Sequence, residues 1–265
     1  YGPRKTQSPY PAEILFQSPF QMRFFAAALV AIIPSMLIGQ NISPMDSAES
    51  SYRLGLLERS LTWLDKVPEE SRNTSYYYLR GQSLNRLNRP DEAWESCTEV
   101  LRLDSNYVPG MVLSAEVAGR VDRDTVALVL WQKLVRRFPK SSRYHRQFAG
   151  TAMRLGVLPL AIYHYEQAIT LNPYDISSLA QVVELYEGLQ NFDRADSLVR
   201  AALKTQPDRE ELYLLGARAA YRAQDYYKAV QYLRHVDSTS TLNATWNEIY
   251  GISLYRAHYI DESIP

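Results

Sequence analysis

Apolar side chains recur three and four positions apart in blocks of about 14 residues, each block closed by a short polar or proline-marked break. That spacing gathers them on one face of an α-helix and predicts amphipathic helices; a half-buried strand would alternate in twos. The blocks themselves repeat. Ala93, Ala127, Ala161, Ala195 and Ala229 stand 34 residues apart, and Ser263 takes the next place. Twelve places before each alanine lies a second, mostly small column of Gly81, Ala115, Ala149, Val183, Ala217 and Gly251. Cys97, Trp131, Tyr165, Val199 and Leu233 form a bulky column, and Ser105, Pro139, Pro173 and Pro207 mark turns.

Two small columns twelve places apart predict a hairpin whose helices approach closely, because a large side chain there would hold the axes apart. Short turns such as 191–193 and 224–226 join the helices, and Pro90 and Pro159 sit near the start of second helices, where a missing amide donor costs little. These columns resemble the tetratricopeptide repeat family, whose 34-residue unit has small residues at its eighth and twentieth positions and often Pro at its thirty-second. The resemblance sets units at 74, 108, 142, 176, 210 and 244, the last cut short at Pro265. It implies an all-α fold, a right-handed superhelical solenoid of antiparallel helix pairs. The fourth position, often Trp in the family, is Tyr77, Met111, His145, Leu179, Tyr213 and Asn247, and the turn after Val236 is loose over 237–241. Residues 48–67 read as one further helix with Leu54, Leu57, Leu61 and Leu64 in step, ending before Pro68 and linked through residue 73 to the first unit. Such a helix caps an end that would otherwise leave apolar surface wet.

The amino-terminal stretch has a different character. Residues 1–21, rich in Pro, Gln and Ser, precede a plausible initiator at Met22 and read as non-native upstream sequence or a disordered segment. Residues 22–39 have the layout of a signal peptide, with Arg23 ahead of an apolar run. The run from Phe24 to Ile38 is interrupted by Pro34 and falls short of the roughly 20 residues a spanning helix needs. The Gly39/Gln40 junction resembles cleavage sites in secreted proteins of Bacteroidota. The expected location is therefore periplasmic or secreted, with anchoring by an uncleaved apolar segment as the alternative.

In the family, first helices line a concave groove for extended peptides or partner helices. Carried onto this chain, groove positions are the second, fifth, ninth, twelfth and thirteenth of each unit. The thirteenth reads Arg86, Arg120, Arg154, Gly188, Arg222 and Arg256. Beside this row stand Tyr78, Gln82 and Asn85, then Glu116, Arg146, Glu184, Arg218, Tyr221 and Tyr255. Guanidinium forks grip carboxylates and tyrosine adds apolar area with a polar tip, so the set suits an extended protein segment with acidic or carboxy-terminal groups. The plainer reading is that these arginines complement the dipoles of the helices they end. The family's clamp for carboxylate termini needs a groove Lys, which is missing here.

Charge narrows the classes further. The 29 basic and 29 acidic residues cancel, leaving no overall pull toward nucleic acid or a membrane surface. A single cysteine, Cys97, falls on an apolar stripe and reads as buried. His145, His164, His235 and His258 are widely spaced along the chain, so no helical metal pair is expected, and His145 takes a packing position. No phosphate loop, nucleophile elbow or zinc-protease motif occurs, and Asp91 and Glu92 read as helix-capping residues. The expected function is a non-enzymatic scaffold without cofactor, binding a protein or extended peptide in the cell envelope, with membrane contact only through the amino-terminal segment. Two alternatives are the sensory or docking half of a signalling protein with a kinase or DNA-binding domain beyond residue 265, and the repeat region of an envelope protease.

Overall fold

A computed structural model describes residues 43–236 and 244–257. The described residues form α1 (Pro44–Arg53), α2 (Leu57–Leu64), a 3-10 turn (Glu69–Ser71), α3 (Thr74–Arg86), α4 (Pro90–Leu103), α5 (Val108–Ala118), α6 (Asp124–Arg137) and α7 (Ser142–Arg154). They continue through α8 (Leu158–Leu171), α9 (Ile176–Gly188), α10 (Phe192–Thr205), α11 (Glu210–Arg222), α12 (Tyr226–Leu233) and α13 (Ala244–Arg256). Each helix packs on the next in the chain. First helices of neighbouring pairs also touch directly, α1 on α3, α3 on α5, α9 on α11 and α11 on α13, which stacks the pairs into a solenoid with second helices outside.

Local sequence explains the breaks. Asn73, Ser141 and Asp175 cap α3, α7 and α9 by accepting from the backbone N–H of Tyr76, Tyr144 and Ser178 at 3.1, 3.4 and 3.1 Å. Pro139, Pro173 and Pro207 each lie two residues past the end of a second helix, where the chain cannot continue helically. Their carbonyls accept from His145, Gln206 and Tyr213 respectively at 3.0, 2.9 and 2.9 Å, so side chains of the following turn or helix pin each corner.

The hairpin turns share one conformation. Asn88, Asp122, Gly156, Gln190 and Gln224, 34 residues apart, all have positive φ between 56° and 72°. Side chains other than glycine rarely hold that conformation, so stacking of the two helices is what imposes it. The bulky column is buried throughout, with Cys97 and Val199 at 0%, Trp131 at 2%, Leu233 at 3% and Tyr165 at 4% exposure. Ala93, Ala127, Ala161, Ala195 and Ala229 are wholly covered. The loose turn at 237–241, residues 1–42 and the end of the chain from 258 lie outside the described residues.

The amino-terminal cap differs from the expected single helix over 48–67. It is a hairpin, α1 and α2, because Gly55 adopts φ +75° and reverses the chain, leaving Leu54 75% exposed instead of in step with Leu61 and Leu64. Ser60 donates to the Ala48 carbonyl at 2.9 Å, and both residues are fully buried. Ala48 and Ser60 are twelve residues apart, like Gly81 and Ala93, and Gly55 precedes Asn88 by 33 residues instead of 34. The cap is thus a hairpin of the same kind with its register shifted by one, which a search at a fixed step passes over.

Candidate interaction surface

None of the fourteen residues picked out for the groove is buried, and all but one of their positions fall on α3, α5, α7, α9, α11 and α13. The exception is Arg120, because α5 ends at Ala118, two residues before it. At the amino-terminal end the Gln82 amide donates to the Tyr78 hydroxyl at 3.0 Å, and the Tyr78 ring meets Tyr107 edge to face at 5.4 Å. Tyr52, Ser75, Tyr78, Gln82 and Tyr107 line a cavity of about 300 Å³ between α1 and α3. Burial raises the Tyr78 phenol above its usual range, so it stays a neutral hydroxyl. The Arg86 guanidinium lies 5.1 Å over the Tyr52 ring, at the border of this cavity.

The other arginines turn mostly toward the protein itself. Arg120 donates to the carbonyl and side-chain oxygens of Asn85 and, at 2.5 Å, to the side chain of Asn88. Arg154 reaches back to Asp124 at 2.6 Å, and Arg146 forward to Asp175 at 3.2 Å. Arg218 and Arg222 both converge on Glu187, at 3.3 and 3.0 Å. The carboxylates concerned are withdrawn from water: the side chain of Glu187 is 0% exposed and that of Asp175 is 4%. Glu116 and Glu184, the two acidic residues beside the row, play no part in this. Glu116 instead accepts from Arg143 at 2.8 Å, while Glu184 is exposed on α9. Tyr221 packs edge to face with Tyr226, and Tyr255 and Arg256 are exposed on α13.

The row therefore splits. Arg146, Arg154, Arg218 and Arg222 are held by carboxylates, mostly from a neighbouring hairpin, whereas Arg86 and Arg120 have only a ring and neutral amide oxygens. Unpaired positive charge on this face therefore stands, among the described residues, at Arg86 and Arg120 beside the tyrosine cavity and at exposed Arg256 at the opposite end. Tyr52 and Tyr107 escaped the positional reading because one belongs to the register-shifted hairpin and the other to a turn.

Two further clusters have no signal in sequence spacing. His145 on α7 and His164 on α8 are 5% and 6% exposed, and their Nδ1 atoms are 2.8 Å apart. His145 Nε2 lies 3.0 Å from the Pro139 carbonyl, which can only accept, so His145 is protonated at Nε2 and offers Nδ1 as acceptor. His164 then donates from Nδ1 and keeps a bare Nε2. Burial, then the neighbouring His145, pushes the His164 imidazole down to about 4. Among the described residues no group of three or more His, Cys, Asp or Glu is arranged to hold a metal. In the second cluster, Asp196 on α10 accepts from the Tyr232 hydroxyl at 2.6 Å and Arg200 at 2.9 Å. The Tyr232 ring covers Gly216, where a Cβ would come within 2.7 Å of it. This cluster locks α10, α11 and α12 together.

The architecture defines a class, the all-α solenoid of stacked helical hairpins. Within it, tetratricopeptide repeat profiles match residues 74–107 and 183–240, so these two segments carry tetratricopeptide repeats. Solved structures share the fold. The C-terminal part of a TPR repeat-containing protein from Cytophaga hutchinsonii superposes with a TM-score of 0.67 at 18% identity, covering 82% of this chain and 88% of that one. A tetratricopeptide repeat protein from Parabacteroides merdae gives 0.61 at 16% identity over 83% and 87%. MamA from Desulfovibrio magneticus gives 0.56 at 17% identity over 61% and 92%. No curated protein sequence matches the chain.

Proposed function

We propose that this protein is a non-catalytic interaction scaffold that takes an extended segment of a partner protein on its first-helix face, entering at the amino-terminal end. The observation that carries this reading is the cavity between α1 and α3, lined by Tyr52, Tyr78 and Tyr107 with the mutually paired Glu49 and Arg53, beside which the Arg86 guanidinium lies over the Tyr52 ring. Aromatic rings with polar tips supply contact area at low entropic cost, and a guanidinium without a carboxylate partner favours an acidic group on the ligand. Similarity to repeat proteins supports a scaffold in general.

The test is selection of linear peptides from a displayed random library on the full chain. Peptides recovered should lose about tenfold or more in affinity to Tyr78→Ser and to Arg86→Ala, and none to Lys204→Ala, with thermal melting as the check on folding. Peptides that bind both groove variants as well as they bind the parent would overturn the reading. An envelope location belongs to the same proposal and rests on residues 22–39; recovery of the native protein in the cytoplasmic fraction alone would count against it. Among the described residues no helix is long and apolar enough to cross a membrane.

A further inference from the structure

Zero net charge hides a local imbalance. No Asp or Glu occurs between Asp124 and Glu166, while Lys133, Arg136, Arg137, Lys140, Arg143, Arg146 and Arg154 fall inside that stretch. Arg143, Arg146 and Arg154 lie on a first helix and are paired with Glu116, Asp175 and Asp124. The remaining four are exposed, three on α6 and Lys140 in the turn after it. Arg137 donates to the Asn106 carbonyl at 3.0 Å and lies over the Phe138 ring. Among the described residues no carboxylate pairs with Lys133, Arg136, Arg137 or Lys140.

These cations continue an apolar strip. Val126, Val129, Lys133 and Arg136 are spaced three, four and three apart, which puts them on one face of α6. Val126 is 37% exposed and Val129 51%, and Tyr163 on α8, in the same place of the next hairpin as Val129, is 55% exposed. From Val126 to Arg136 the strip is about 15 Å long, the reach of four to five extended residues. It is also narrow. Exposed Glu95 and half-buried Glu99 stand on α4, the preceding outer helix, and Asp104 follows them; on α8 comes Glu166, held by Arg194 at 2.8 Å.

We propose that the outward face of α6 from Val126 to Arg136, with Lys140, is a second docking surface, separate from the first-helix groove, whose partner is an extended acidic protein segment bearing an aliphatic or aromatic side chain. Charge complementarity selects the acidic side chains, and the two valines with Tyr163 supply the apolar contact. A broad anionic bilayer would press the acidic residues of α4 against its headgroups, whereas a single chain lies between the flanking carboxylates. A nucleic-acid strand carries phosphates along its whole length and would run past this strip of about 15 Å into the flanking carboxylates, so the rings of Phe138 and Tyr163 serve a protein side chain better.

The experiment is fluorescence anisotropy of a labelled twelve-residue peptide of Asp, Glu and Leu titrated with the full chain at low and at moderate salt. Saturable binding is expected, weakened by salt and reduced about tenfold or more in Lys133→Glu/Arg136→Glu/Lys140→Glu. Val129→Ser should weaken it by a smaller factor, while Lys204→Glu should leave it unchanged. Unaltered thermal melting of the triple variant excludes misfolding as the cause. No binding, binding indifferent to the triple reversal, or equal or tighter binding of phosphatidylglycerol vesicles or a single-stranded oligonucleotide would overturn the proposal. The two readings fail separately, because peptide held in the groove is lost in Tyr78→Ser and Arg86→Ala and peptide held on α6 is lost in the triple reversal.

Discussion

The arginines of the first helices and the cations of α6 are drawn from the same residue types but have opposite fates. Arg146, Arg154, Arg218 and Arg222 are bound to carboxylates of this chain, two of which are almost wholly withdrawn from water. Lys133, Arg136 and Lys140 have no such partner among the described residues. The difference teaches that a periodic run of charge is weak evidence for a ligand. Stacking 34-residue units brings side chains of neighbouring hairpins together along this face, and a buried carboxylate such as Glu187 demands the cations it meets. An outer helix meets no neighbour on its exposed face, so its charge remains available.

Variants can break this contrast, and the largest effect belongs to Glu187. Replacing both Arg218 and Arg222 with alanine leaves a fully covered carboxylate alone and should cost about 3 to 5 kcal/mol, read as a lower urea midpoint. A midpoint within error of the parent would show that these arginines are a solvated row after all.

Acid tests a third kind of base, one kept uncharged between the two sets. His164 has a folded value of about 4 against 6.5 for the free side chain, so the unfolded chain binds the extra proton first as pH falls. Stability should be level above about pH 6.5, fall through the window down to about 4 and level again below it, by about 3 kcal/mol from this group. His164→Phe should flatten that part of the profile in denaturation measured from pH 7 to 4.

Smaller effects sharpen the comparison. Arg154→Ala loses a tie to Asp124 that is 20% exposed and should cost about 1 kcal/mol by thermal melting. Lys133→Glu with Arg136→Glu should move stability by no more than about 0.5 kcal/mol, because neither side chain holds anything in place. A loss as large as that from Arg154→Ala would mean that the outer cations are structural too.

The solenoid was legible in the chain because its cause is local and repeated. Small residues at Gly81 and Ala93, bulky ones at Cys97 and Trp131, and prolines two residues past helix ends each act within one hairpin or at one junction. The amino-terminal hairpin was less legible: Ala48, Gly55 and Ser60 carry the same pattern, but one residue out of step. All fourteen candidate residues keep exposed surface, yet their positions in the repeat said nothing of their partners within the chain. Nothing in the spacing of Asp124 and Asp175 marks them as arginine partners; only the fold places Arg154 and Arg146 beside them.

The sequence by itself determined that helices pair, that pairs repeat every 34 residues, and that arginines recur along one face, because helix periodicity and side-chain size act over a few residues. Only the tertiary structure decided which of those arginines are neutralised, that His145 meets His164, and that the basic run of α6 faces outward. Those outcomes depend on contacts between side chains some twenty to thirty-five residues apart, set by turn geometry and stacking and by no feature of either partner alone.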